Sequence, residues 1–492
     1  MTADDTRPDE DAEKPQPEYV EHITKKSEDF PQWYTDVVRK AELADYTPVR
    51  GCMVIRPYGY ALWENIRDAL DAMIKATGHS NMYFPLLIPE SLLMKEAEHV
   101  EGFAPEVAWV THGGNQKLEE RLAIRPTSET IIGTLYKKWI HSHRDLPVLI
   151  NQWANVVRWE MRTRLFLRTA EFIWQEGHTF HATDEETVEE VDRMLECYRA
   201  LSEDWLAVPV IKGLKTEAEK FAGAKYTMSI EALMSDGKAL QSGTSHHLGQ
   251  NFTKAYDITY SDRDNKRSYP YGTSWGLSTR VIGGLIMCHG DEAGLILPPR
   301  VAPIQVVIVP IYRGDEQRAV VEAAVSNLKA SLTGIRVHVD DRDEKPGYKY
   351  NDWELRGVPL RVELGPRDIE AGQAMIVERI NREKVAVPIG ELSARLPEML
   401  EQFHVRLFDR AAAMRESYAV HVTSRVDLEA AYADGKQALA RGPWCGDAAC
   451  EEEIKNATRG VTIRGVVLET ASGGCAGCGQ AAKRTVYWAR AY

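Results

Sequence analysis

In the segment 151–181, NQWANVVRWEMRTRLFLRTAEFIWQEGHTFH, Arg158 and Glu160 are followed by Arg168, Glu171, Phe172, Glu176 and His178. Two antiparallel strands over 151–159 and 168–176, joined by a charged turn at 161–167, place alternate side chains on one face. Arg158, Glu160, Arg168 and Phe172 then share a surface. Two guanidiniums can grip phosphate oxygens bidentately, and an aromatic face can stack a purine. A lone R-x-E pair is usually an ordinary charged hairpin; the reading rests on the whole segment.

Three further sets carry chemistry. AIRPTSET at 123–130 supplies Thr127 and Glu129, which in isolation read as a helix N-cap followed by a first-turn acid. LQSGTSHHLGQN at 240–251 puts Gln241, Thr244, His246 and His247 on a glycine-bearing loop; no nearby cysteine completes a metal set, so zinc is rejected there. Cys445, Cys450, Cys475 and Cys478 form C-x4-C, 24 residues, then C-x2-C, which fits a closed tetrahedral zinc site of four thiolates; Cys52, Cys197 and Cys288 are isolated.

Several elements must position these groups. A helix is predicted over 60–77, with Leu62, Ile66, Leu70, Met73 and Ile74 at helical spacing before Gly78. A second is predicted over 184–206, capped by a Thr183/Glu186 box and buried along Val188, Val191, Leu195, Tyr198 and Leu201. After Pro303, a strand at 304–309, a helix at 315–332 and strands at 335–339, 359–364 and 374–378 make a separate α/β unit with a mixed or parallel sheet. At 492 residues, with 44% hydrophobic and 27% charged side chains, the chain is a folded multidomain protein. No apolar run nears the roughly 18 residues that span a bilayer, so the expected location is cytoplasmic and no membrane partner is expected. Of the net charge of -13, -6 lies in residues 1–30, so a polyanion would have to meet a local patch. The acidic, proline-bearing extension at 1–29 is expected to be disordered.

The motifs together resemble a known family. Arg158-Trp159-Glu160 with FLRTAEFIWQEGHTFHAT resembles motif 2 of class II aminoacyl-tRNA synthetases in its prolyl-tRNA synthetase version. Gly51-Cys52-Met53-Val54-Ile55-Arg56-Pro57 resembles motif 1, and Ser274-Trp275-Gly276-Leu277-Ser278-Thr279-Arg280 with the apolar run that follows resembles motif 3. Ser278 and Thr279 stand where glycines are frequent in the class, a departure shared by the prolyl branch. The likeness covers about residues 30–492.

The resemblance implies an α+β and α/β multidomain fold: an antiparallel-sheet catalytic domain at 30–302, an α/β anticodon-binding domain at 303–405 and a small α+β zinc-bearing domain at 406–492. It implies a homodimer that joins L-proline to tRNA(Pro) with ATP and Mg²⁺, through a prolyl adenylate. Arg158, Arg168 and Arg280 would neutralise phosphates; Thr127 and Glu129 would receive the proline ammonium and Arg158 its carboxylate. Phe103, Trp174, Glu176 and His178 would shape the ring pocket, with His246 beside it. Glu160, Thr169, Phe172, Gln241, Thr244 and Ser278 would complete the ATP site. In the α/β unit, Tyr350 and Trp353 would stack anticodon bases, Glu354 would accept from a base, and Arg361 or Arg367 would meet guanine or phosphate; Trp353 and Leu355 read equally as core. Between Glu171 and Arg280 there is no room for a large editing insertion, which implies the archaeal/eukaryotic-like form without cis hydrolysis of mischarged alanyl-tRNA. The C-terminal Tyr492 would turn its carboxylate toward the active site. The rival readings are a threonine-specific relative and a non-catalytic paralogue.

Overall fold

The computed structural model describes residues 23–99, 107–160 and 162–492. Its centre is an 11-stranded sheet, of which one run is Val210–Leu214, Tyr226–Leu233, Ala239–Gly249, Tyr271–Ser278, Glu171–His181, Val148–Val157 and finally Ser80–Asn81. All neighbours in that run are antiparallel except the last pair. The hairpin expected around the charged turn forms, with Val148 opposite Phe180 and Val157 opposite Glu171. Its strands end at Val157 and resume at Glu171, so Arg158, Glu160 and Arg168 lie on the connection and not in strands at 151–159 and 168–176. Gly177 sits in its middle because Trp275 of the next strand packs flat against it; a Cβ there would lie 2.0 Å from the indole.

Helices cover one face of the sheet. Pro57–Ala76 begins at its proline, which lacks the N–H that an α-helix leaves unused there, and buries Leu62, Ile66, Leu70 and Ile74. The second helix is α-helical over Asp184–Ala200 and ends in a π-turn, Leu201–Trp205. Two details of its sequence reading change. The Thr183 hydroxyl accepts from Glu186 N, but Glu186 Oε2 reaches Ala182 N at 3.0 Å rather than closing the box on Thr183. Val188 is 37% exposed, because the buried stripe turns through Thr187, Val191, Met194, Leu195 and Tyr198. The segment 240–251 also departs from expectation: it is mainly the strand Ala239–Gly249, held by ladders on both edges, and not a loop.

Of the two sheet types expected for the α/β unit, mixed or parallel, it has the mixed one. Val337–Val339, Val306–Pro310 and Leu360–Leu364 are parallel, and Gln373–Glu378 and Lys384–Pro388 continue it antiparallel. The helix Gly314–Ser331 covers it through Val321, Val325 and Leu328. The division read at 405/406 falls inside the 26-residue helix Leu392–Ser417. That helix packs Leu392, Leu396 and Leu400 on the α/β core, then Phe403 and Leu407 against Ala207 and Ile296. The C-terminal strands Leu439–Trp444, Val461–Thr470 and Arg484–Arg490 join the central sheet through Val466, opposite Leu214.

Most of the acidic extension, residues 1–22, lies outside the described residues. Residues 23–29, assigned to the same extension, are docked: Lys26 N and Ser27 N donate to the Glu292 carboxylate, and Lys26 Nζ donates to Gly290 O beside the Trp33 ring.

Candidate active site

A cavity of about 650 Å³ opens on the uncovered face of these strands. Its floor follows the ladder. Thr227, His246, Ser274 and His178 are successive cross-strand partners, and all four line the cavity. One step along, Thr244, Gly276 and Glu176 form the next row, then Ser278 and Trp174. The period of 2 in a strand thus delivers residues from four segments to one surface.

One end is compact and acidic. Glu129 opens the helix Glu129–Tyr136, where the helix dipole favours a carboxylate, and the Thr127 hydroxyl donates to it. Ser128, the N-cap, makes no capping bond; its hydroxyl and Gln152 Nε2 instead serve Glu176. His178 Nε2 lies 3.2 Å from Glu129 Oε1. Burial opposes charge on Glu129, yet His178 and the Thr127 hydroxyl bring its pKa down to about 2. Burial likewise opposes charge on His178, and Glu129 reverses this, raising it above its ordinary value. Glu176, buried with a second carboxylate nearby, is raised. The result is a neutral-to-anionic nest for a small cation.

The other end is cationic. Arg158 donates to Pro126 O at 3.0 Å, with its guanidinium carbon 5.5 Å from the Phe172 ring and 5.3 Å from the Trp174 ring. Arg280 donates to Leu167 O at 3.1 Å, and Arg168 lies 3.6 Å from Glu160. Enclosure and the neighbouring Arg158 and Arg168 lower the basicity of Arg280, the mark of cations that lack enough local acid. Phe172, which meets Trp174 edge-on, lines a side cleft with Glu160, Arg168 and Thr169. There the buried Thr169 hydroxyl has no partner among the described residues.

Nearly all the residues expected in the site are therefore brought together. Thr127, Glu129, Arg158, Glu160, Phe172, Trp174, Glu176, His178, Gln241, Thr244, His246, Ser278 and Arg280 line the cavity, and Arg168 and Thr169 its side cleft. Phe103 lies outside the described residues. Sequence reasoning missed Glu219, Lys220 and Phe221, which form one wall, and Thr227 in the floor. Thr227 alone had a local signal, its place in an alternating strand. Tyr492 lies against Asp236 and Ala239 and is not in the lining.

In the α/β unit a groove is lined by Tyr350, Glu354 and Arg361 together with Arg379, Arg382 and Lys384. Arg361 stacks over Tyr350, its guanidinium carbon 4.1 Å from the ring centre. Trp353 reaches the groove only marginally: it is 7% exposed, and its indole N–H donates to Asp340. Leu355 is core, and Arg367, on the short helix Pro366–Glu370, is outside the lining.

The sulfurs of Cys445, Cys450, Cys475 and Cys478 all lie within 4.8 Å of one another, at 3.8 Å for Cys450–Cys475 and 3.6 Å for Cys445–Cys478. Zn–S bonds of about 2.3 Å in a tetrahedron require sulfurs about 3.8 Å apart. The four thiols fit zinc, and Gly477 N donates to the Cys475 sulfur at 3.3 Å. His246 and His247 are turned to protein partners, Thr227 and Asp184.

Comparison with known proteins agrees with this geometry. Residues 109–289 match the model of the "tRNA synthetase class II core domain (G, H, P, S and T)", and 305–399 match the "Anticodon binding domain". Residues 428–492 match "Prolyl-tRNA synthetase, C-terminal". A relative from Clostridioides difficile (strain 630), "Proline--tRNA ligase 2", is 56% identical over 97% of this chain and 100% of its own length. The chain belongs to the prolyl-tRNA synthetases. An Alkaliphilus oremlandii "Proline--tRNA ligase" is 55% identical over 97% of this chain and 100% of its own. The crystal structure of the prolyl-tRNA synthetase of Cryptosporidium parvum, complexed with halofuginone and AMPPNP, aligns with a TM-score of 0.90 at 43% identity, covering 96% of this chain and 99% of that one. As a prolyl-tRNA synthetase the chain is an ATP-dependent ligase: it activates proline and transfers it to tRNA. The residues between the two central strands, 182–270, form the helices Asp184–Ala200 and Asn251–Ala255, three strands of the same sheet, the small hairpin Tyr260–Ser261/Arg267–Ser268 and their connections, with no large inserted domain among them.

Proposed function

We propose that the 650 Å³ cavity holds proline at its Glu129 end and MgATP at its arginine end. The carrying observation is this polarity within one cleft. Thr127 and Glu129 take the secondary ammonium, Trp174 and His178 bound the ring, and Arg158 stands where the proline carboxylate meets the α-phosphate. The carboxylate attacks phosphorus in line and pyrophosphate leaves; the terminal ribose hydroxyl of tRNA(Pro) then attacks the acyl carbon and AMP leaves. Catalysis comes from positioning and charge neutralisation by Arg158, Arg168 and Arg280. Phe172 stacks adenine, and Glu160 with the unpartnered Thr169 hydroxyl reads its edge.

The same reading assigns the Tyr350–Arg361 groove to anticodon bases and structural zinc to the four cysteines, which would hold it as a closed set. It keeps the divisions near 302 and 405 as functional boundaries. A homodimer is supported by exposed apolar groups around the motif 1-like segment, Tyr46 at 56%, Val49 at 60% and Val54 at 47%. No helix among the described residues is long and apolar enough to cross a membrane; a role in translation supports a cytoplasmic location. The test is proline-dependent ATP–pyrophosphate exchange in wild type and Arg158→Ala. A loss of 100-fold or more supports the assignment, since removing one preorganised donor typically costs about 10²–10³; undiminished exchange overturns it.

A further inference from the structure

The cavity wall that sequence reasoning missed is tied to the C-terminal unit. The turn after strand Val210–Leu214 carries Glu219, Lys220 and Phe221 into the cavity. Its first residues are fixed from behind. Lys215 Nζ donates to Glu231 Oε1 at 2.7 Å, and Arg464 of the C-terminal unit donates to both oxygens of Glu231. The Thr216 hydroxyl donates to Glu451 Oε1 at 3.0 Å, and Glu451 follows Cys450 on the helix Ala448–Ala457. All five side chains are buried. The backbones meet closely beside them: a Cβ on Gly213 would lie 2.7 Å from Gly465 Cα.

From Thr216 the connection runs on into the cavity. Glu219 N and Lys220 N donate to Thr216 O, and Phe221 N donates to the Thr227 hydroxyl at 3.0 Å. That hydroxyl also pairs with His246 Nδ1 at 2.9 Å. The Phe221 ring lies 4.7 Å from the His246 ring. His246 stands in the same cross-strand row as Ser274 and His178, at the proline end.

We infer that Glu451 and Arg464 are positioning residues for proline binding. Through Thr216 and the 216–221 turn they set Phe221 and His246, so the C-terminal unit shapes the amino-acid pocket. The inference rests on the assignment of proline to the Glu129 end.

The test uses the full chain with Glu451→Ala, Glu451→Gln and Thr216→Val, reading proline and ATP constants in pyrophosphate exchange, zinc per chain, and amide hydrogen exchange over 216–225. Loss of one buried hydrogen bond is expected to raise KM for proline roughly three- to tenfold in Glu451→Ala and Thr216→Val, with kcat and KM for ATP within twofold. Exchange over 216–225 rises with it, and Glu451→Gln, which keeps an acceptor oxygen, behaves as wild type. Proline KM unchanged in both loss variants overturns the inference, as does an equal rise for ATP. If Glu451→Ala loses zinc or fails to fold, Thr216→Val decides alone. Exchange surviving in Arg158→Ala would instead overturn the pocket assignment.

Discussion

Replacing Glu129 by Gln keeps the shape of the acidic end and an acceptor for the Thr127 hydroxyl while removing the charge that faces a substrate ammonium. A hydrogen bond to a charged group contributes about 1.5–3 kcal/mol, so KM for proline is expected to rise roughly 10- to 150-fold. The ammonium takes no part in the bond that forms and is held alike before and in the transition state, so kcat should change by less than about fivefold. The same substitution has a titration signature. In wild type, His178 is held above 6.5 because Glu129 outweighs burial; without that charge burial prevails and His178 should fall below 6.5. A folded value of about 2 against 4.5 for Glu129 corresponds to about 3 kcal/mol at 1.36 kcal/mol per unit. That stabilisation is present above pH 4.5 and lost as pH falls toward 2, whereas the contribution of His178 is complete below 6.5 and lost as pH rises through its raised value. Pyrophosphate exchange gives the constants, and NMR of labelled histidine gives the titration. A proline KM within threefold of wild type, or a collapse of kcat with KM unmoved, would refute the reasoning.

Three other outcomes follow from the packing and the thiol cluster. Gly177→Ala places a methyl 2.0 Å from the Trp275 indole and should lower Tm by about 5 °C or more or leave the protein insoluble, while Gly390→Ala, with nothing within 4 Å, should stay within about 1 °C. Cys475→Ser should reduce bound metal from one zinc per chain to none, measured by atomic emission, since a closed four-thiolate site tolerates no missing ligand. Sedimentation of the wild type should give twice 55.5 kDa, and a charge introduced at Val54→Asp should shift it to 55.5 kDa.

How much the sequence disclosed depended on the range of the interaction. The hairpin Val148–Val157/Glu171–His181 was legible because its alternation, turn and charges all lie within one segment, and from it came Arg158, Glu160, Phe172 and Glu176. Adjacent polar and glycine residues disguised Ala239–Gly249 as a loop; its strand character comes from ladders with segments on both sides. Trp353 could equally stack a base or pack, and the buried Asp340 that takes its N–H decides for packing. Glu219, Lys220 and Phe221 left no trace, because what makes them a wall is a pairing between Leu214 and Val466 and a hydrogen bond between Thr216 and Glu451. Contacts over such separations have no periodicity in one chain to betray them.

The most direct measurement is a crystal structure with a non-hydrolysable prolyl adenylate analogue. The expected result places the pyrrolidine nitrogen against Thr127 and Glu129, the acyl-phosphate mimic at Arg158 and the adenine on Phe172. An analogue bound in the reverse sense, or outside this cavity, would contradict the account.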